Sequence, residues 1–436
     1  MRSEVNCKMG ADKYQLKCVA GGEVVVDRYT NTCPEGHDSL LRTVYSRKQI
    51  RRRSGLGMFN YFDWLPVDKA VPTNASPITY KSEAFGQELG LNELYISFSG
   101  YWPEREAYMK TCTFKELEAL PTLQRVKERA GGKIVTVASA GNTSRAFAEV
   151  ASATGMPVLA VVPSTSLPRM WTTTGNHAHI FLIAVDGDYS DAIAAGKQIA
   201  KLSGLIEEGG VKNVARRDGM GVVELEAAFA MSGLPAFYFQ AVGSGTGAIA
   251  AWEAFSRLIA DGRFGARMPK IVIAQNLPFA PMVSAWQAGR AEIIAEKDMK
   301  DAEHAIRQLY ADVLSTRNPP YSIKGGVYDM LSSTDGRMYG ITNVEAREAE
   351  KLFEGEEGID LDPAASVAVA SLLKAVDDGM VKRDDRILLN ITGGGYKRVK
   401  ENYELHEIRA RCEIKSSDHG ALDELEQELR EFIKAL

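Results

Sequence analysis

From about residue 133 onward the 436-residue chain alternates short β-branched runs with alanine-rich amphipathic ones, and this pattern narrows its fold more than any other feature. Residues 134–138, 157–163, 180–185, 237–242, 270–274 and 387–391 read as buried strands. Helix-patterned stretches at 144–154, 188–202 and 248–260 lie between them. Apolar runs this continuous suit strands covered on both faces, the condition of a parallel sheet built from βαβ units. An α/β fold follows, and the length allows two or three domains with their own cores.

Bulk properties exclude several classes. A formal net charge of −5 and a pI near 5.9 give no general footprint for nucleic acid. The short basic cluster Arg47, Lys48, Arg51, Arg52, Arg53 lacks interleaved aromatics and reads as a solvated face. Five scattered cysteines, Cys7, Cys18, Cys33, Cys112 and Cys412, argue against a disulfide framework and for a reducing cytoplasm. Met1 to Asn6 has no apolar core of the signal-peptide kind, and no run of 18 apolar residues occurs, so no membrane association is expected.

The first 45 residues read as short strands and turns with zinc-ribbon spacing and half of the ligands missing. Gly21 stands three residues after Cys18, and Gly36 three after Cys33, where second cysteines would fall. His37 is the other soft donor nearby. The expectation is a metal-free relic, with zinc binding as the alternative and no metal ligands assigned.

Three glycine-bearing turns follow strands, where open α/β sheets bind ligands. Gly243-Ser244-Gly245-Thr246-Gly247 offers backbone N–H groups and two hydroxyls at a helix start, which suits a phosphate. A dinucleotide fold wants G-x-G-x-x-G and a strand-end acid; here the third glycine comes one residue early and no such acid follows. Ser139-Ala140-Gly141-Asn142-Thr143-Ser144 suits a carboxylate, with Asn142 in reach of a phenolic oxygen; Thr143 or Ser144 also fits as a helix N-cap. Thr392-Gly393-Gly394-Gly395 implies close backbone approach to something flat or bulky, and Thr392 can meet a ring nitrogen. Upstream, Lys115 opens an apolar helix pattern. A cation sits badly at the positive end of a helix dipole, but an amine kept neutral there can form a Schiff base with an aldehyde.

A lysine, an asparagine turn, a phosphate cup and a strand-end threonine, in this order, resemble the fold type II pyridoxal-phosphate enzymes, most visibly the threonine synthase branch. Thr111-Cys112-Thr113-Phe114-Lys115-Glu116-Leu117 is similar to T-G-S-F-K-D-R, the 139–144 turn to S-x-G-N-T-S, and Asn74-Ala75-Ser76-Pro77-Ile78 to G-N-T-P-L. The resemblance covers most of the chain. It implies pyridoxal 5'-phosphate as cofactor, with Lys115 as its lysine and Asn142 at the 3'-oxygen. Gly243, Ser244, Gly245, Thr246 and Gly247 would hold its phosphate, with Thr392 at the pyridine nitrogen and Ser139 and Thr143 at the substrate carboxylate. It also implies two open twisted sheets flanked by helices, as in the tryptophan synthase beta class, with a small degenerate ribbon. On that basis 1–45 is the ribbon, 103–220 the smaller domain, 46–102 plus 221–405 the larger one and 406–436 a helical tail; a homo-oligomer is expected.

Departures from the threonine synthase pattern bear on the substrate. Glu116-Leu117 replaces the usual Asp-Arg, and Ser164 to Trp171 replaces a lysine-bearing segment, both near the expected mouth of the site. With the aromatic loop at 100–110, the pattern is most similar to the branch that joins O-phosphoserine and sulfite. Arg105, Lys110, Arg169, Arg216 and Arg217 are candidates for an oxyanion pocket. Threonine synthesis from phosphohomoserine, and a non-catalytic or nucleotide-binding protein, are the alternatives.

Overall fold

The structure is a computed structural model that describes residues 13–415 and 421–436, with the backbone alone at 421–424. The readings at Met1 to Asn6 and Cys7 lie outside the described residues. A three-stranded antiparallel sheet comes first, with β1 (Tyr14–Cys18) between β2 (Val24–Val25) and β3 (Leu41–Tyr45). In β1 the residues alternate buried and exposed, as a one-sided sheet requires. Next come β4 (Ile78–Lys81), β5 (Leu94–Phe98) and α1 (Lys115–Arg129). The alternating region then runs β6 (Ile134–Ala138), α2 (Asn142–Thr154), β7 (Val158–Pro163), β8 (Ile180–Asp186), α3 (Tyr189–Ile199), β9 (Leu205–Glu207) and α4 (Val214–Met220). The chain continues through β10 (Phe237–Ala241), α5 (Thr246–Asp261), β11 (Lys270–Asn276), β12 (Arg337–Ile341), α6 (Pro363–Asp377), β13 (Ile387–Ile391), β14 (Cys412–Lys415) and α7 (Ala421–Ala435).

Two open sheets result. The smaller has the order β9-β6-β7-β8-β14 and is wholly parallel. The larger has the order β12-β11-β10-β13-β5-β4, parallel except for β4 on its edge. In β13 every residue is buried, which explains its unbroken apolar run.

The segment 406–415 does not belong to a helical tail. Cys412–Lys415 adds a fifth strand beside β8, with Ile414 turned into the core against Leu425, Leu429 and Phe432 of α7. Phe432 meets Phe181 edge-on at 5.3 Å, so α7 packs on the smaller sheet. The basic cluster is also less free than its composition suggests. Arg47, Arg51 and Arg53 converge on Asp63, and Arg52 pairs with Glu226.

Candidate active site

The three glycine turns leave the C-terminal ends of β6, β10 and β13, so two come from the larger sheet and one from the smaller. Together with the start of α1 they line one cleft of about 820 Å³, open to solvent. Lys115, Asn142, Ser139, Thr143, Thr392 and all five residues of the 243–247 turn border it.

Lys115 is the first residue of α1, with about a fifth of its side chain exposed to the cleft. Burial lowers its pKa, the Glu118 carboxylate works against that, and the Arg216 guanidinium reinforces it. Glu118 Oε2 stands 3.4 Å from Lys115 Nζ and 3.0 Å from Arg216 Nε, and Arg216 Nη1 reaches Glu208 Oε2 at 2.7 Å. The net direction favours the neutral, reactive amine.

Backbone packing fixes the lysine loop. Phe114 N–H donates to Thr392 O, Gly394 N–H donates to Cys112 O, and Cys112 is held in the left-handed region at φ 58°. A Cβ at Gly393 would lie 2.6 Å from Cys112 O, and one at Gly395 would lie 1.9 Å from Tyr101 O. What the three glycines approach is therefore the chain's own backbone, rather than a flat ligand.

In the 139–144 turn neither Thr143 nor Ser144 is the cap. Ser139 Oγ accepts from the N–H groups of Gly141 (3.1 Å) and Ser144 (2.9 Å) and donates to Ser144 Oγ (2.9 Å). Its hydroxyl is thus committed to the turn, whereas Thr143 faces the cleft. Asn142 Nδ2 is 3.4 Å from Asp362 Oδ2, joining the two sheets' elements across the cleft.

At the 243–247 turn, Gly245 has φ +86° and the 16-residue α5 begins at Thr246. A Cβ at Gly247 would come within 3.0 Å of Phe114 Cε2, so glycine lets the positive end of this helix pack beside the lysine loop. Thr113 Oγ1, buried in the same cleft, has no hydrogen-bond partner within the protein. A phosphate-bearing aldehyde fits this set: a helix start for the phosphate, an amine for the aldehyde, and the unsatisfied Thr113 hydroxyl in the same cleft.

The five candidate cations separate clearly. Arg216 borders the cleft. Arg169 lies at its rim, with Nη1 3.4 Å from Ala140 O and Nη2 on Asp312. Arg217 is buried on Glu253, Arg105 stacks over Tyr80 and Trp102, and Lys110 lies over Tyr403, none of them at the cleft. The aromatic loop is packing, with Trp102 edge-on to Phe98 and Tyr80. Glu116 and Leu117 are also turned away from the cleft. Leu117 is buried, and Glu116 Oε1 accepts from Thr111 N–H and Oγ1. Their departure from the pattern therefore belongs to the lysine loop's support and does not reach a substrate. Glu118, Glu208, Tyr189 and Asp362 escaped the sequence reading. Glu118 was accessible from its i,i+3 spacing to Lys115, and Asp362 from Asp-Pro at a helix start.

Residues 77–393 match the family model described as pyridoxal-phosphate dependent enzyme. The solved structures similar to this chain agree in fold: maize serine racemase (TM-score 0.55, 14% identity, 81% of this chain and 93% of that one) and Solanum lycopersicum threonine deaminase isoform 2 (0.52, 17%, 76% and 88%). The chain is a fold type II pyridoxal-phosphate enzyme. Cysteate synthase of Methanoculleus marisnigri is 51% identical over 412 residues, 94% of this chain and 95% of the relative. That of Methanosarcina barkeri is 53% identical over 414 residues, 94% and 99%. Within its class, the chain belongs to the cysteate synthase family.

Proposed function

We propose that this enzyme replaces the phosphate of O-phospho-L-serine with sulfite, giving L-cysteate and inorganic phosphate. The Cβ–O bond breaks and a Cβ–S bond forms, and oxidation states are unchanged. Supporting this reading is the neutral-leaning amine of Lys115 in one cleft with the α5 N-terminus and the Arg216 guanidinium. Pyridoxal phosphate, when bound, supplies an electron sink for the pair left by the Cα proton.

Lys115 would hold the cofactor, and its amine would take the Cα proton and return it as the product forms. The 243–247 turn and the start of α5 would hold the cofactor phosphate, Asn142 would meet its 3'-oxygen, and Thr392 would offer a neutral hydroxyl to its ring nitrogen. Thr143 and the backbone of the turn shaped by Ser139 hold the substrate carboxylate. Leaving phosphate and entering sulfite are both oxyanions, so one cation serves both, and Arg216 is the candidate that borders the cleft. Cysteate so formed would serve coenzyme M biosynthesis in a methanogen, in the cytoplasm and as a homo-oligomer. No described helix is long and apolar enough to cross a membrane.

Borohydride reduction of the loaded enzyme followed by peptide mapping tests the assignment: the pyridoxyl label is expected on Lys115. A label on another lysine contradicts it. Phosphate release from O-phosphohomoserine with threonine as product would transfer the reading to threonine synthesis.

A further inference from the structure

The N-terminal sheet carries four metal-type donors that converge. Cys18, at the end of β1, and Cys33 are both buried, and their sulfurs share a site with Glu23 and His37 whose ligand atoms all lie within 4.8 Å of one another. Each cysteine opens a turn, of five residues at Cys18 and four at Cys33: Gly22 N–H donates to Cys18 O, and Gly36 N–H to Cys33 O, both at 3.0 Å. The positions of the missing ribbon cysteines are explained by the same geometry. A Cβ at Gly21 would lie 2.0 Å from Glu23 Oε1 and 2.4 Å from Oε2, so the Glu23 carboxylate fills the space that a side chain at 21 would take. At the other turn the donor moves one residue along, from Gly36 to His37.

His37 Nδ1 is 3.6 Å from Cys18 Sγ, 3.5 Å from Cys33 Sγ and 3.5 Å from Glu23 Oε2. Tetrahedral zinc, with bonds of about 2.3 Å to sulfur and about 2.0–2.1 Å to nitrogen and oxygen, has S···N edges of about 3.6 Å and N···O edges of about 3.4 Å. The three edges that meet at His37 Nδ1 have these lengths. Hydrogen bonding does not account for them, because one imidazole nitrogen has a single in-plane hydrogen or lone pair to share among three neighbours. Glu23 Oε2 is moreover buried with no hydrogen-bond partner.

We propose that Cys18, Glu23, Cys33 and His37 bind one zinc ion, in place of the metal-free relic that the cysteine count suggests. Four protein donors leave no open position, so the site is structural. Its effect reaches the catalytic body. The loop between the two ligand pairs carries Asp27, which takes both ends of the Arg125 guanidinium at 2.6 and 2.8 Å, and Asn31, which accepts from the same side chain at 3.0 Å. Arg125 belongs to α1, the helix that Lys115 begins.

The test uses the full chain with its cofactor, produced with added zinc, desalted and analysed for metal by mass spectrometry. About one zinc per chain is expected, falling to about a tenth or less in Cys18→Ser/Cys33→Ser, while Glu23→Gln should lose at least about tenfold in affinity in chelator competition. Should the double variant fail to fold, the wild type stripped by chelator and titrated with Co²⁺ decides the matter. Tetrahedral d–d bands with sulfur-to-cobalt charge transfer are expected. Wild-type protein that retains no zinc and shows no such bands overturns the site, and unchanged affinity in Glu23→Gln overturns its carboxylate ligand.

Discussion

The Glu118 carboxylate lies 3.4 Å from the Lys115 amine, one turn along the same helix, and opposes the lowering of the lysine pKa by burial and by Arg216. Glu118→Gln should therefore lower that pKa further, moving the acid-side limb of cofactor loading by about one pH unit toward acid. Arg216→Gln should move it the other way. The rate at which the visible cofactor band appears, followed against pH, reads both shifts.

Glu116 is buried, and desolvation raises its pKa to about 8. The folded chain therefore keeps a proton on this carboxyl that the unfolded chain releases at ordinary carboxylate pH. Its contribution is complete below about pH 4.5 and is lost as pH rises through about 8. Glu116→Gln, whose amide oxygen can still accept from Thr111, should remove roughly 2–4 kcal/mol of the fall in stability between pH 5 and 9. Urea unfolding across that range measures it; an unchanged slope would mean that Glu116 is ionised throughout.

Gly395→Ala should destabilise by roughly 3 kcal/mol or more, since the residue has φ +86° and its Cβ would meet Tyr101 O at 1.9 Å. Gly355→Ala has nothing within 4 Å and lies within a helix (Asn343–Glu357), so it should stabilise by about 0.5–1 kcal/mol. Denaturant melts of the two variants should shift in opposite directions.

Arg125 is fully buried and tied to Asp27, Asn31 and Asn213. Arg125→Ala leaves the Asp27 carboxylate without its main partner and should cost about 3–5 kcal/mol. Limited proteolysis should then cut near Asp27 to Asn31 before the catalytic body is digested. Equal resistance in the variant would show that the N-terminal sheet holds without this pair.

The alternation of buried strands and helices made the central strands of both sheets legible, because a strand covered on two faces cannot hide its apolar run, whereas the peripheral β4, β9 and β12 offer no such run. The three turns of the cleft were legible because each needs glycine or a small polar residue where strand becomes helix, whereas Tyr189 and Asp362, which also border it, carry no such signal. Three further features were hidden for other reasons. Cys412–Lys415 is a four-residue edge strand, too short for its period to stand out from a tail. The burial of Glu116 depends on Thr111 folding back over it, a contact that spacing alone does not show. Glu23 as a donor was hidden because its carboxylate reaches a position that the chain leaves at Gly21.

Lys115 and its cleft are proposed to convert O-phosphoserine and sulfite into cysteate. Mass detection of the product tests this most directly. Wild-type enzyme with pyridoxal phosphate should give cysteate and phosphate in equal amounts only when both substrates are present, and Lys115→Ala should give neither. Threonine from O-phosphohomoserine with no cysteate from the first pair, or cysteate formed undiminished by Lys115→Ala, would contradict it.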